Sequence, residues 1–310
     1  MKNILIIIGI VLLLLVIGGL VFLKALGDRP AAPADYQSQT PTGGPIEAKY
    51  LVDGPYEVSV QRDDTLLDFG EFAVYYPTEL ETQTGRYPVI VLCNGTGTPL
   101  SKYPAVARHY ASWGFIVIGT EEENSWNAFG AEMCLRYLER MDKNKTIATQ
   151  GDRESLFYHK VDWERVGVVG HSQGGVGVIN AVTDTRHKDV YKTAVSLSPT
   201  NKELAHNLFW DYDASLIEVP ILLLSGEGGG DDWVVTGQQL QAIYDDVPGQ
   251  KMMARRVATD HGEMLYMADG YVTAWFRWQL LDDAEAAGAF NGDSPELFGN
   301  PLYTDQQAEL

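Results

Sequence analysis

The 310-residue chain contains few cysteines and few basic residues. Its two cysteines, Cys93 and Cys134, are too few for a disulfide-stapled fold, so a hydrophobic core must hold the protein together. We expect both to be buried free thiols, with a bridge between them as the alternative. Lys and Arg number 23 against 42 Asp and Glu, which gives a net charge of −19. Because so acidic a protein repels phosphate groups, the composition argues against a nucleic-acid partner.

Long apolar runs are also scarce, with one clear exception at the N-terminus. Residues 4–23 carry no charge and are apolar or glycine throughout, which matches the about 20 residues that a helix needs to cross a bilayer. We predict a membrane anchor over residues 1–27, with the rest of the chain outside the cytoplasm. A cleaved secretion signal is the alternative. Residues 28–48 are rich in proline, glycine and small polar residues, which predicts a flexible linker.

After the linker, short apolar runs alternate with helical stretches over residues 49–290, as in proteins built from βα units. The pattern predicts an α/β fold with a mostly parallel sheet and helices on both faces. The predicted strands are 56–60, 72–76, 88–93, 115–119, 166–169, 194–197, 221–224 and 252–257. The predicted helices are 103–113, 128–141, 175–182, 238–244 and 271–287. Residues 291–310 are polar and rich in turn residues, and are predicted to be a C-terminal tail.

A candidate nucleophile stands directly after the predicted strand 166–169. The strand leads into the G-x-S-x-G motif that begins at Gly170 and ends at Gly174, and a predicted helix follows. Strand, motif and helix in this order are typical of a nucleophile elbow, a sharp turn that exposes the serine hydroxyl. The two glycines leave room where the helix approaches the strand. The sequence therefore predicts Ser172 as a nucleophile.

A serine nucleophile needs a base within hydrogen-bond reach and an acid that orients the base. Proteins with this elbow place the acid after the serine and the histidine last. His261 is the histidine that follows the predicted acid-bearing strand 221–224, and it comes directly after the predicted strand 252–257. A loop at that point presents a side chain at the carboxyl edge of the sheet, so we predict His261 as the base.

The acid is expected in the loop after strand 221–224, which offers three carboxylates. Glu227, Asp231 and Asp232 all lie there, and the sequence leaves the choice open. Asp232 is preferred, because the carboxylate must reach back to the histidine from a loop and Asp232 stands directly before Trp233. The glycines of this loop lack the Lys and Ser/Thr spacing of a phosphate-binding loop.

Ester or amide chemistry also requires donors for the oxyanion that forms on the attacked carbonyl group. The backbone N–H of Gln173, directly after the serine, is the first candidate. Thr96 is the second, because it lies in a glycine-bearing loop after strand 88–93. Trp126 and Trp233 lie next to the predicted catalytic loops and are candidates for the walls of a substrate pocket.

These residues resemble the α/β-hydrolase superfamily, and within it the branch that holds cutinase-like polyester hydrolases, chlorophyllase-like esterases and dienelactone-hydrolase relatives. The similarity runs from Gly54 to Leu281 and includes, besides the elbow, Gly54-Pro-Tyr, Val74-Tyr-Tyr-Pro, residues 111–117 and Val161-Asp. The resemblance implies an α/β-hydrolase fold and chemistry without a cofactor or metal. It also implies a nucleophile, acid, base and two oxyanion amides at Ser172, Asp232, His261, Thr96 and Gln173.

Three positions depart from the polyester hydrolases of this branch. Thr96 stands where they generally have an aromatic residue, Gln173 where they usually have methionine, and residues 196–200 contain no tryptophan. In those hydrolases the aromatic residue and a tryptophan just after the next strand together clamp an aromatic monomer. Because this sequence lacks both, we expect a soluble carboxylic ester as substrate rather than an aromatic polyester. The alternatives are an acyltransferase or amidase that uses the same triad, and a non-catalytic binding domain tethered to a membrane.

Overall fold

A mixed sheet forms the centre of the protein in the computed structural model, which describes residues 29–64, 70–147 and 153–310. Its strands are β1 Val58–Asp64, β2 Glu71–Pro77, β3 Tyr87–Cys93, β4 Ile116–Thr120, β7 Val161–His171, β8 Tyr191–Leu197, β9 Ile221–Glu227, β10 Lys251–Val257 and β11 Tyr303–Glu309. Within the described ranges the spatial order is β1-β2-β4-β3-β7-β8-β9-β10-β11. The pairs from β4 to β10 are parallel, whereas β1–β2, β2–β4 and β10–β11 are antiparallel. Two short strands, β5 Thr146–Ile147 and β6 Arg153–Glu154, pair separately.

Helices cover both faces of this sheet. They are α1 Tyr36–Gln39, α2 Pro45–Leu51, α3 Pro104–Ser112, α4 Phe129–Lys143, α5 Gln173–Asp184, α6 Lys202–Asn207, α7 Gly237–Asp246, α8 Met264–Met267, α9 Asp269–Leu281, α10 Ala284–Ala287 and α11 Glu296–Gly299. One core lies between the sheet and helices α2, α3 and α9. The other lies between the sheet and helices α4, α5 and α7. The predicted α/β architecture is thus confirmed in its layers.

The central strands are almost continuously apolar because both of their faces are buried. In β3, Val89 and Val91 face one core, while Ile90 and Leu92 face the other. Side chains alternate across a strand, so a strand covered on both sides needs an apolar residue at every position. The two cysteines belong to this interior and are free and buried, as expected.

The predicted flexible linker over residues 28–48 is wrong for its described part, because residues 29–51 are bound to the domain. We call residues 29–51 the N-terminal strap. Tyr36 and Tyr50 are both 0% exposed within it. Glu47, 1% exposed, forms an ion pair of 2.8 Å with the buried guanidinium of Arg256. Buried tyrosines and one buried ion pair therefore hold the strap against the domain, although the composition of this segment is typical of a flexible tether.

The C-terminal residues also belong to the fold. Residues 303–309 form β11, which pairs antiparallel with β10 and completes one edge of the sheet. The packed protein therefore extends at both ends beyond the predicted domain of residues 49–290. The predicted membrane anchor over residues 1–27 lies outside the described residues. Among the residues that are described, no helix is long and apolar enough to span a bilayer.

Candidate active site

Ser172 lies at a tight turn between strand β7 and helix α5. Its backbone has φ 61° and ψ −122°, a conformation that a non-glycine residue rarely adopts. The flanking glycines make the turn possible, as the sequence predicted. A Cβ on Gly170 would lie 2.3 Å from the carbonyl oxygen of Gly174, and one on Gly174 would lie 2.1 Å from that of Cys93. Only hydrogen fits at either position, so the motif presents the serine on a crowded, strained turn.

His261 lies in the loop between β10 and α8 and contacts the serine. Its Nε2 is 2.9 Å from Ser172 Oγ, which is hydrogen-bond distance. Its Nδ1 lies 2.6 Å from Oδ1 of Asp231. Serine, imidazole and carboxylate therefore form one continuous hydrogen-bonded chain, although β7, β9 and β10 bring them from distant parts of the sequence.

The predicted pairing of His261 with Asp232 is wrong. Asp232 instead accepts a hydrogen bond of 2.6 Å from Arg255, and its side chain is 48% exposed, whereas Asp231 is 0% exposed. The two aspartates begin the 3₁₀ turn Asp231–Trp233. Successive residues of such a turn point about 120° apart, so one carboxylate faces the histidine and the next faces away. Glu227, the third candidate, is an exposed residue at the end of β9.

The Asp231 carboxylate is held by two donors besides the histidine. Its Oδ2 accepts the backbone N–H of Gly226 and the hydroxyl of Ser198, the latter at 3.0 Å. Ser198 is 0% exposed and lies directly after β8. Sequence reasoning did not assign Ser198 a role, since a serine after a strand carries no specific signal. Hydrogen bonds from three directions fix the orientation of the carboxylate.

The loop after β3 comes close to the serine. An ideal Cβ on Gly95 would lie 3.7 Å from Ser172 Cβ and 3.2 Å from the carbonyl oxygen of His171, so a larger residue would crowd the turn. Thr96 follows and is exposed. Gln173 is the first residue of α5, where backbone N–H groups lack helical partners. Among the described residues, the backbone N–H groups of Thr96 and Gln173 make no hydrogen bond.

The side chain of Gln173 is buried and points into the protein. Its Oε1 accepts the backbone N–H of Ser125 at 2.8 Å, which attaches the β4–α4 loop to the start of α5. Trp126 is the next residue in this loop and is half-buried. Trp233, the other predicted pocket residue, is 84% exposed on the turn that carries Asp231. Trp126 thus lies on a loop bonded to the residue after the serine, and Trp233 lies on the turn that carries the histidine's aspartate partner.

No group of three or more His, Cys, Asp or Glu side chains in the described part of the chain could hold a metal ion. A mixed, mainly parallel sheet with helices on both faces, a serine elbow and the loop order serine, aspartate, histidine together define an α/β-hydrolase. The family model for PET hydrolase-like proteins (PETase) matches residues 31–278, which is most of the chain. The protein therefore belongs to the PET hydrolase-like family.

Individual relatives are more distant. Bis(hydroxyethyl) terephthalate hydrolase from Streptomyces coelicolor is 24% identical over 212 residues, which cover 67% of this chain and 59% of that protein. Cutinase est1 from Thermobifida alba is 30% identical over 229 residues, covering 70% of this chain and 67% of the cutinase. Cutinase 2 from Thermobifida cellulosilytica is 27% identical, with coverage of 60% and 63%. The chain thus spans about 60% of the length of several relatives it matches.

Proposed function

We propose that the protein is a serine hydrolase that cleaves carboxylic esters. The hydrogen-bonded chain Ser172–His261–Asp231 is the observation that carries this proposal. A histidine between a serine hydroxyl and a buried carboxylate is positioned to accept the serine proton and to hold it as an imidazolium. The names of the relatives, a bis(hydroxyethyl) terephthalate hydrolase and cutinases, support an ester as the substrate.

The reaction begins when Ser172 Oγ attacks the ester carbonyl carbon and its proton passes to His261 Nε2. Asp231 accepts the hydrogen bond from Nδ1–H and stabilises the imidazolium. The backbone N–H groups of Thr96 and Gln173 are the donors for the oxyanion, since neither has a hydrogen-bond partner among the described residues and both are adjacent to the serine turn. The alcohol leaves with the proton from His261. Water then attacks the acyl-enzyme, with His261 again as the base. The bond between the acyl carbon and Ser172 Oγ breaks, the carboxylic acid leaves, and Oγ takes the proton back from His261.

The substrate is proposed to be a soluble carboxylic ester rather than an aromatic polyester. The side chain of Gln173 is bound to Ser125 inside the protein, and Thr96 supplies no aromatic ring at the loop after β3. Trp126 and Trp233 are the aromatic residues proposed to border the substrate. Esters graded by acyl and alcohol size test this choice, and faster cleavage of an aromatic polyester film than of any soluble ester would contradict it.

A fluorophosphonate probe tests the proposed nucleophile, because it reacts with activated serines. We expect labelling of the chain of residues 29–310, with the adduct on the peptide that contains Ser172. The variants Ser172→Ala and His261→Ala should not be labelled, and ester turnover should fall by about 10⁴-fold or more. A folded protein that the probe does not label, or turnover that survives Ser172→Ala, would refute the proposal.

We also propose that residues 1–27 anchor the enzyme in a membrane, since their apolar run has the necessary length. Sedimentation of the full-length protein with membranes after alkaline extraction would support the anchor. Recovery of a soluble form whose N-terminus lies after residue 23 would instead support a cleaved signal.

A further inference from the structure

The residue before the candidate nucleophile, His171, contacts the candidate base. Its Nε2 lies 2.7 Å from the backbone carbonyl oxygen of His261, and because a carbonyl only accepts, Nε2 is the donor. The two imidazole rings lie 4.5 Å apart at an angle of 40°. His171 is 7% exposed. A single side chain thus connects the elbow to the loop that carries His261.

Asp260 also holds this loop, because its carboxylate accepts the N–H of Gly230 and its own N–H donates to the Glu263 carboxylate. The bond from His171 acts one residue further on, at the carbonyl group of His261. The same carbonyl oxygen also accepts the N–H of Met264, at 3.3 Å, a longer contact than the one from His171. Ala258, three residues earlier, has φ 51°, so the loop turns sharply after β10. Within the described residues, the bond from His171 is the shorter of the two at this carbonyl group. Its loss would leave the carbonyl group of His261 with only the longer bond from Met264 among the described residues.

The charge state of His171 suits this position. Burial, together with the nearby His261, lowers the pKa of His171 to about 3, so the ring is neutral at ordinary pH. A second cation at this distance would oppose the imidazolium that His261 becomes during catalysis. A neutral ring with a proton on Nε2 can hold the base loop without that repulsion.

We propose that His171 is a positioning residue: its Nε2–H bond to the His261 carbonyl group holds the base at the distance from Ser172 that proton transfer requires. The inference rests on the proposed function, since it concerns the same serine and base. An error of about 1 Å in the position of a catalytic group can cost about 100-fold in rate, so one hydrogen bond to the loop can matter for turnover.

Two substitutions separate the hydrogen bond from the packing. His171→Gln places an amide nitrogen at the same number of bonds from Cα as Nε2, so it can still donate. His171→Met has nearly the same length but places a methyl group there. We expect kcat for a soluble ester to fall about 10- to 100-fold in His171→Met and by less than about threefold in His171→Gln. KM should change less than about threefold in both, and the rate of fluorophosphonate labelling at Ser172 should follow kcat.

Thermal unfolding of both variants controls for folding, and His171→Leu serves as a second variant without a donor. Equal activity of the Met or Leu variant and the unchanged protein would overturn the inference. Equal losses in the Gln and Met variants would also overturn it, because packing rather than the hydrogen bond would then be responsible. If the unchanged protein is not labelled, the proposed function fails and the inference fails with it. Labelling that is normal in every variant refutes only the role of His171.

Discussion

Asp231 is a carboxylate with no exposed surface and three donors around it. His261, Gly226 and Ser198 each donate to it, so its two oxygens are fixed relative to the histidine ring. Asp232 has a different environment, since it is half-exposed and bound to Arg255. The two neighbours are therefore expected to respond very differently to the same substitution.

Asp231→Asn should lower kcat by about 10⁴-fold, because an amide at this position can donate to Nδ1 and so hold the histidine in the wrong tautomer. Asp232→Asn is the matched control and should change kcat less than about threefold, since exposed ion pairs contribute little. Steady-state ester hydrolysis by both variants checks the assignment. A larger loss of kcat in Asp232→Asn than in Asp231→Asn would instead assign Asp232 as the acid.

Glu122 offers a test at the same scale, through the dependence of stability on pH. Burial raises the pKa of Glu122 from 4.5 to about 7, against the opposing effect of the Gly130 backbone N–H. The folded state therefore binds more protons than the unfolded state between these values, and stability falls as pH rises from about 4.5 to 7.

Glu122→Gln should remove this part of the pH dependence and make the protein more stable than the unchanged form at pH 8, by about 1 kcal/mol after allowance for solvent screening. Urea unfolding at pH 5 and pH 8 measures the difference. Glu123→Gln, at the exposed neighbouring position, should leave the pH dependence as it is. A Glu122→Gln protein with the same loss of stability between the two pH values would contradict the assignment.

The positions of serine and histidine could be read from the sequence because each depends on a local pattern. The elbow is a contiguous motif, and His261 directly follows a buried strand. The acid could not be read with the same accuracy, since the choice between Asp231 and Asp232 depends on the direction of one 3₁₀ turn. Ser198 reaches Asp231 only through space, and His171, although it belongs to the elbow motif, contacts the distant loop of His261; the sequence carries no signal for such contacts.

At the scale of elements, two buried polar clusters hold the N-terminal strap. In the first, Glu47 accepts from Arg256, Tyr303 and Asn300, so it binds the strap to β10 and to the C-terminal residues. In the second, the Tyr36 hydroxyl donates to Asp269, which also pairs with His109 at 2.8 Å. Burial lowers the pKa of His109, but the Asp269 carboxylate outweighs this and raises it above its ordinary value. Each cluster joins the strap to elements from the rest of the fold.

Glu47→Gln should destabilise the protein by about 3–5 kcal/mol, because it leaves the guanidinium of Arg256 buried without its counter-charge. Lys49→Gln, two residues away in α2, removes the exposed ion pair with Glu285 and should cost less than about 1 kcal/mol. Chemical denaturation of both variants gives the free energies of unfolding. Similar small effects would mean that the strap contributes little to stability.

The eight predicted strands all exist, and their ends differ from the predicted ones by at most five residues. Most of them could be predicted because a short, uninterrupted apolar run between polar segments is typical of a buried strand. The strap and β11 could not be predicted. Tyr303–Glu309 is mostly polar, and its strand depends on the exposed edge of β10 rather than on its own pattern. In the strap, single buried residues such as Tyr36 are separated by proline and glycine, and no periodic signal results.

For the molecule as a whole, both ends of the described chain are part of one folded unit. The strap covers one face of the sheet beside α9, and β11 forms an edge next to β10. Residues 49–290 alone would lack β11 and all but the last three residues of the strap. Arg256, which is 1% exposed, and the apolar surface beneath Tyr36 would then lose their partners.

The chain of residues 29–310 should therefore unfold in a single cooperative transition, whereas residues 49–290 should aggregate or unfold without one, since they expose buried apolar surface and an unpaired strand. Calorimetry or circular dichroism with heating distinguishes the two. A shorter chain with the same melting temperature would show that the sheet and its helices suffice.

If residues 1–27 anchor the protein in a membrane, the early attachment of the strap limits how far the proposed active site can lie from that membrane. The backbone N–H of Ala31 donates to the carbonyl oxygen of Lys102 at 2.7 Å, and the Lys102 amine donates to the carbonyl oxygen of Gly97, beside Thr96. A free linker of 20 residues would let the catalytic centre sweep roughly 25 Å. If residues 1–27 cross a bilayer, only a few residues, each at most about 3.6 Å long, separate the bilayer from the bond between Ala31 and Lys102. The active site of such an enzyme would stay at a short, nearly constant distance from the bilayer. It would therefore encounter only esters that arrive at the membrane surface.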